Sequence, residues 1–152
     1  MKARSALVPL TLLLLCGIGF PVAQVEGKPP EKQKTAVIHL SHYTDDLHRA
    51  FMAMKIARMM QNGGVETTLF LDIEGARISD ARQSLDMCWG PSPTPLGAVF
   101  DDFIKSGGKV VVCPHCAKAA GIKSDHLRQG TTIGTEEELA RLLISTDKIM
   151  DY

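Results

Sequence analysis

Short apolar segments typical of buried strands alternate with helical patterns along most of the chain. Strands are predicted at 35–42, 65–73 and 109–113, and a last one in the closing DKIMDY. Neighbouring parallel strands need a crossover connection, usually a helix, so this alternation favours parallel βαβ units. The pattern predicts an α/β fold with three α/β/α layers and a mainly parallel sheet of about five strands.

The helix boundaries carry recognisable signals. The first helix is expected to begin with Thr44 or Asp45 as its N-cap and to end at the Asn-Gly-Gly of 62–64, where a left-handed C-cap is allowed. The last helix follows Thr135, with Glu138 three residues later, which is the spacing of a capping box. These signals fix where the crossovers start and stop.

The first residues of the chain have the pattern of an export signal. Lys2 and Arg4 precede an apolar run from 6 to 23, and a polar stretch follows it. We therefore expect a periplasmic or secreted protein with no stable membrane association after cleavage; an uncleaved anchor is the alternative. The predicted organisation is a signal peptide at 1–27, a linker at 28–34 and one domain at 35–152.

Charge and cysteine content narrow the classes of partner. The chain carries 17 basic and 17 acidic residues, so nothing indicates electrostatic capture of nucleic acid. Export would place the protein in an oxidising compartment, with Cys16 removed together with the signal. Three cysteines would then remain, Cys88, Cys113 and Cys116, and their odd number leaves one without a partner.

The stretch VVVCPHCAKAAG at 110–121 contains the clearest chemical signal. Cys113 lies where a strand passes into a helix, a position whose free N–H groups favour a thiolate. Pro114 suits the first helical position, and Cys116 is three residues on, on the same helix face. The pair can close a disulfide, or Cys116 can resolve an adduct formed on Cys113. His115 adds a positive charge nearby when it is protonated.

A thioredoxin-like fold does not explain this motif. In that fold the dithiol follows an early strand and packs against a later cis-proline. Here most of the domain precedes the motif, and no proline follows Pro114.

The whole arrangement instead resembles the DsrE/DsrF-like family, from about Thr35 to Tyr152. Members of this family have a strand ending in the reactive cysteine and a glycine eight residues later, as Cys113 and Gly121 have here. An arginine usually precedes that glycine, whereas this chain has Ala120. The segments that carry the resemblance are TAVIHLSH, the NGG helix end, VETTLFLD, SGGKVVVC, CPHCAKAAGI and TEEELARLLISTDKIMDY.

The resemblance implies a domain that forms homo-oligomers and handles sulfur. Cys113 matches the residue that carries sulfur as a persulfide, so we expect a persulfide carrier or a sulfurtransferase accessory. Its partners would be protein thiols that donate or accept sulfur, and no cofactor is expected.

Two other functions remain open from the sequence. One is a dithiol-disulfide redox protein that uses Cys113 and Cys116. The other is a soft-metal protein in which these cysteines bind Cu(I) or Zn(II) with His39, His42 or His48, although a single CxxC motif is a weak zinc signal.

Five further residues are candidates for a pocket wall. His42 and Tyr43 follow the first strand and Asp72 ends the second, and strand ends of this kind converge at one sheet edge. His115 belongs to the motif itself. Cys88, beside the only tryptophan, is either a second thiol that reaches the Cys113 site or a packed and buried side chain.

Overall fold

The computed structural model describes residues 32–152. The signal peptide expected at 1–27 and most of the linker at 28–34 lie outside these residues. Within the described part, no helix is long and apolar enough to cross a membrane.

The chain alternates strands and helices over its whole described length. The strands are β1 (Thr35–Leu40), β2 (Glu66–Leu71), β3 (Lys109–Val112), β4 (Thr131–Ile133) and β5 (Lys148–Asp151). The helices are α1 (Leu47–Asn62), α2 (Leu96–Lys105), α3 (Pro114–Ala119) and α4 (Glu136–Ser145). Two short 3₁₀ segments, Gly75–Ser79 and Ser124–His126, lie in the connections.

The five strands form one parallel sheet in the order β4-β3-β2-β1-β5. The fold class predicted from the sequence is confirmed, and every pairing is parallel. From β1 to β4, each strand is added to the same side of the preceding one, whereas β5 lies on the other side of β1. Because the crossover connections are right-handed, α4 lies on the opposite face of the sheet from α1 and α2.

The main core lies between the sheet and the pair α1 and α2. Phe51 and Met54 of α1, Phe100 and Phe103 of α2, and Leu69 of β2 are almost fully buried in it. Burying one such side chain contributes about 1.5–3 kcal/mol, so this layer supplies most of the apolar stabilisation.

The other face of the sheet has a thinner cover. A Cβ built on Gly134 would lie 2.9 Å from the Val111 side chain and 3.4 Å from that of Leu139, which places α4 over this face. No residue of α4 is fully buried, however, and Ile144 is 85% exposed. The three-layer arrangement is therefore asymmetric.

Helix caps agree with the sequence at one end of the domain and differ at the other. The capping box of Thr135 and Glu138 is present as predicted. The N-cap of α1 is Asp46, which accepts the Arg49 N–H, so the prediction of Thr44 or Asp45 was wrong. The Asp45 carboxylate instead accepts the Tyr43 N–H.

Gly75 packs the turn after β2 against the end of β1. It is buried, and its N–H donates to the Ser41 carbonyl at 3.1 Å. A Cβ at this position would lie 2.1 Å from the Leu40 carbonyl oxygen. Only glycine allows the backbone that follows Asp72 to approach β1 this closely.

We expect Gly75→Ala to lower the free energy of unfolding by about 3 kcal/mol, because a backbone atom cannot move aside as a side chain can. Urea denaturation measures the loss. Gly90→Ala is the control: Gly90 has a φ of 66° but no atom near its Cβ position, so it should lose only about 1 kcal/mol. Equal losses in the two variants would contradict the close approach.

Candidate functional site

The carboxyl ends of four neighbouring strands bring ionisable and reactive side chains together. β1 ends near His39 and Ser41, β2 is followed by Asp72, β3 by Cys113, and β5 ends at Asp151. In parallel α/β sheets, ligands and catalytic groups gather beyond this edge. The candidate functional site lies at this carboxyl edge of the sheet.

Cys113 connects β3 to α3, and hydrogen bonds hold both of its backbone polar groups. Its N–H donates to the Leu71 carbonyl at 2.9 Å, and its carbonyl accepts the Ala117 N–H at 2.9 Å. Its thiol makes no hydrogen bond to the N–H groups that begin α3. Of the contacts expected at this strand-to-helix position, a hydrogen bond from α3 to the Cys113 side chain is therefore not formed.

A main-chain N–H from the end of another strand donates a hydrogen bond to the cysteine pair. Ile73, directly after β2, donates its N–H to the Cys116 Sγ at 3.1 Å. A backbone donor of this kind stabilises negative charge on sulfur. Sequence spacing gave no indication of it.

Ile73 adopts a backbone conformation that is unusual for its residue type. Its φ is 45°, and it is the only non-glycine residue with positive φ among residues 32–152. A β-branched residue in the left-handed region is strained, at a cost on the order of 1–3 kcal/mol. Its side chain is 63% exposed, so packing of that side chain does not explain the strain.

The environment of Cys116 favours the neutral thiol. Burial is the main cause that raises the pKa of Cys116, and the Cys113 thiol and the Asp72 carboxylate raise it further, while the hydrogen bond from Ile73 opposes them. The two thiols are close enough to interact, so ionisation of one disfavours ionisation of the other.

Asp72 is held by a hydrogen-bonded network behind the cysteines. Ser41 Oγ donates to Asp72 Oδ1 at 2.7 Å, and His39 Nε2 lies 3.0 Å from Asp72 Oδ2. On the other side of the ring, His39 Nδ1 lies 2.8 Å from Asp151 Oδ1. Burial lowers the pKa of His39, but hydrogen bonds and charges from Asp151 and Asp72 outweigh it and raise the pKa overall.

A groove of about 410 Å³ opens beside Cys116. Ile73, Glu74 and Arg77 line one side of it, and Ala119 and Ala120 of the α3 end line the other. Arg77 Nε lies 2.8 Å from Glu74 Oε2. The wall of this groove thus contains a guanidinium that is paired with a carboxylate.

A larger groove, of about 800 Å³, lies beside α4 at the amino ends of the strands. Its wall includes Glu66 and Lys109, which form an ion pair with each other, and it contains no cysteine or histidine. Size alone therefore does not identify the candidate site; of these two grooves, the smaller one has a cysteine in its wall.

The model of the DsrE/DsrF-like family matches residues 33–152. The chain belongs to the DsrE/DsrF-like family. The uncharacterized protein MJ0989 of Methanocaldococcus jannaschii is 27% identical over 105 residues, which cover 68% of this chain and 87% of that protein.

Solved structures share the fold at low sequence identity. The YchN protein of E. coli aligns with a TM-score of 0.66 and 20% identity, covering 79% of this chain and 99% of its own. MTH1491 of Methanobacterium thermoautotrophicum, a protein of unknown function, aligns with a TM-score of 0.61 and 13% identity over 79% of this chain and 100% of its own. These likenesses establish the α/β/α architecture of the family domain.

His42 and Tyr43 have partners away from the cysteines. His42 Nδ1 lies 2.5 Å from Asp45 Oδ2, beside the start of α1. The Tyr43 ring is buried in the core, and its hydroxyl donates to the Ser84 carbonyl. Of the pocket candidates named from the sequence, Asp72 is the one placed beside Cys116.

His115 and Cys88 also lie outside the groove. His115 Nε2 lies 2.9 Å from Glu136 Oε1 at the start of α4, and both side chains are 75% exposed. Cys88 is exposed on its loop and contacts the Pro93 carbonyl, so the prediction that it is buried was wrong. Its neighbour Trp89 stacks on His48 with ring centroids 4.0 Å apart.

No three His, Cys, Asp or Glu side chains are grouped as a metal site within residues 32–152. The three histidines considered for such a site have other partners: His39 lies between carboxylates, His42 pairs with Asp45, and His48 stacks on Trp89.

Three contributors were missed by reasoning from the sequence: the Ile73 N–H, Arg77 and Asp151. Asp151 is the β5 partner of His39 in the parallel register. Because Asp151 ends the last strand, the strand-end argument could have predicted that it lies at the site. The φ of Ile73 and the orientation of the Arg77 side chain left no such signal.

We expect the NMR titration midpoint of His39 to lie above the ordinary value of about 6.5, and Asp151→Asn to lower it. The fold stabilisation from this imidazolium is present below the unfolded-state pKa and is lost as pH rises through the raised folded pKa. Asp147→Asn, which removes an exposed carboxylate bonded to Thr35, is the control and should leave the midpoint unchanged. A His39 midpoint insensitive to Asp151→Asn would rule out their pairing.

Ile73→Asn should stabilise the protein by about 1 kcal/mol, because asparagine tolerates the left-handed backbone better than a β-branched residue. Ile144→Asn, at an 85% exposed helical position, serves as the control and should give no gain. Thermal or urea denaturation of both variants tests the strain. If Ile73→Asn is less stable than the unsubstituted protein, the Ile73 conformation is not strained.

Proposed function

We propose that this protein is an exported sulfur carrier, or a sulfurtransferase accessory, in which Cys113 holds sulfur as a persulfide. The observation that supports it is the pair of neighbouring thiols at the carboxyl edge of the sheet, with a main-chain N–H directed at Cys116. Membership of the DsrE/DsrF-like family agrees with the position of Cys113.

The transfer steps balance without a cofactor. A Cys113 thiolate attacks the outer sulfur of a donor persulfide, R–S–SH, so that an S–S bond forms on Cys113 and the donor leaves as R–S⁻. An acceptor thiolate then attacks the outer sulfur of Cys113–S–SH and restores the Cys113 thiolate. Each step is a displacement at sulfur that depends on the thiolate form of the attacker.

The environment of Cys116 supports Cys113 as the first nucleophile. The raised pKa of Cys116 keeps it as a thiol, and a thiol is a poor nucleophile. Cys113 is fixed at both of its backbone groups, so its position relative to Cys116 is defined.

Donor and acceptor are proposed to be protein thiols that dock over the groove beside Cys116. Its wall combines the exposed Ile73 side chain with the Glu74–Arg77 ion pair, which suits a polypeptide surface with both apolar and charged groups. We also propose a homo-oligomer, supported by the exposed Ile144 and Ile149 near the thinly covered face.

A dithiol-disulfide redox role is the second candidate. The interaction between the Cys113 and Cys116 thiols favours it, because two neighbouring cysteines three residues apart can close a disulfide. An external dithiol would then reduce the disulfide again.

The test is intact-mass and peptide analysis of protein taken without reductant from the periplasm of its own producer. We expect the peptide containing Cys113 to be heavier by one sulfur atom, to lose that sulfur on dithiothreitol treatment, and to lack it in Cys113→Ser. Cys88→Ser is the matched control and should keep the extra sulfur, since Cys88 lies on a separate loop.

A Cys113–Cys116 disulfide without added sulfur would support the redox role instead. Bound copper or zinc under native conditions would contradict both thiol functions. The intact mass gives the mature N-terminus, which tests the signal peptide expected at 1–27, and a mass measured under native conditions gives the number of subunits.

A further inference from the structure

Asp72 is a carboxylate that cannot turn away from the cysteine pair. Both of its oxygens are bound, Oδ1 by the Ser41 hydroxyl at 2.7 Å and Oδ2 near His39 Nε2 at 3.0 Å. Its side chain is 20% exposed. Its charge is therefore fixed in position and only partly screened by solvent.

The residue after Asp72 makes the direct contact with Cys116. The Ile73 N–H donates to Cys116 Sγ at 3.1 Å, so the Asp72–Ile73 backbone lies against this sulfur. Burial is the main cause that raises the pKa of Cys116, and the charge of the Asp72 carboxylate adds a smaller contribution in the same direction. The other charged or titratable groups facing Cys116 are Cys113 and, across the groove, the mutually paired Glu74 and Arg77.

His39 lies behind Asp72 as a counter-charge. Its ring stacks on Phe70 at a centroid distance of 5.0 Å, and its Nδ1 is held by Asp151 at 2.8 Å. When protonated, it neutralises part of the Asp72 charge that Cys116 experiences. When it is neutral, the full charge of Asp72 acts on the sulfur.

We propose that Asp72 is a positioning residue that slows the attack of Cys116 on a Cys113 persulfide, and that His39 moderates this effect. The inference rests on the proposed sulfur-carrier function and concerns how long sulfur stays on Cys113. Asp72 acts on the reacting atoms through its charge and is not itself a nucleophile.

The step that Asp72 delays, attack of Cys116 on the Cys113 persulfide, conserves atoms and electrons within the protein. Cys116 loses a proton, and its thiolate attacks the Sγ of Cys113–S–SH. A Cys113–Cys116 bond forms, the bond to the outer sulfur breaks, and the leaving HS⁻ takes up a proton to give H₂S. The two cysteines are oxidised to a disulfide while the outer sulfur is reduced to sulfide, so no external oxidant is required.

The first measurement is the rate of Cys116 alkylation by iodoacetamide as a function of pH, in full-length protein carrying Cys113→Ser. Peptide mass analysis reports on Cys116 separately from Cys88. We expect Asp72→Asn to move the midpoint of the pH profile down and to accelerate alkylation near neutral pH by about twofold, because the Asp72 charge is one of the smaller causes that raise the pKa of Cys116.

Two variants that shift the alkylation midpoint of Cys116 in opposite directions make the test specific. His39→Gln should move the midpoint up, because it leaves the Asp72 charge without its counter-charge. The matched control is Asp45→Asn, which removes the carboxylate of a second histidine–aspartate pair; Asp45 bonds His42 and the Tyr43 N–H, whereas Asp72 directly precedes the Ile73 N–H that contacts Cys116. A loss of packing alone would not shift the two midpoints in opposite directions.

The second measurement is the lifetime of a persulfide loaded onto Cys113 from a small-molecule persulfide, R–S–SH, which leaves as R–S⁻, with the native cysteines present. We expect Asp72→Asn to shorten it by a factor similar to the gain in alkylation rate, and Cys116→Ser to lengthen it. An unchanged Cys116 profile in Asp72→Asn would overturn the role of Asp72. A shifted profile with no persulfide on Cys113 would overturn the sulfur-carrier function and, with it, this inference.

Discussion

Parallel pairing of β2 with both β1 and β3 is the constraint on which the rest of the structure depends. Leu69 and Leu71 are fully buried on one face of β2, Thr68 and Phe70 are almost fully buried on the other, and β1 and β3 pair with the strand on its two sides. Since all strands run in the same direction, their carboxyl ends reach one edge, where Asp72 and Cys113 become neighbours although they are distant in sequence. The parallel register thus brings these two residues together, and the turn after β2 adds the Ile73 N–H beside Cys116.

Much of the fold could be predicted from the sequence because its signals are local. Apolar runs defined the longer strands, and Thr135 with Glu138 defined the start of α4. β4 was not located, because three residues, Thr131–Ile133, are too few to show a period. The cap of α1 was misplaced because Asp45 and Asp46 are equally good candidates, and tertiary contacts of Asp45 with Tyr43 and His42 decide between them.

The candidate site was less predictable, because its partners depend on register and backbone conformation. Asp72 could be named from its strand-end position alone. Pairing of His39 with Asp151 requires the register of β5 against β1, which no local pattern specifies. The same strand-end argument also selected His42 and Tyr43, whose side chains found nearer partners in Asp45 and Ser84.

The donor that Cys116 receives from Ile73 has an evolutionary consequence, because it belongs to the peptide backbone. Any amino acid except proline supplies the same N–H, so drift at position 73 changes the groove surface without deleting the hydrogen bond. The side chain, 63% exposed, can then vary while the hydrogen bond to the sulfur is kept. The surface of the groove and the environment of Cys116 can thus change independently at a single residue.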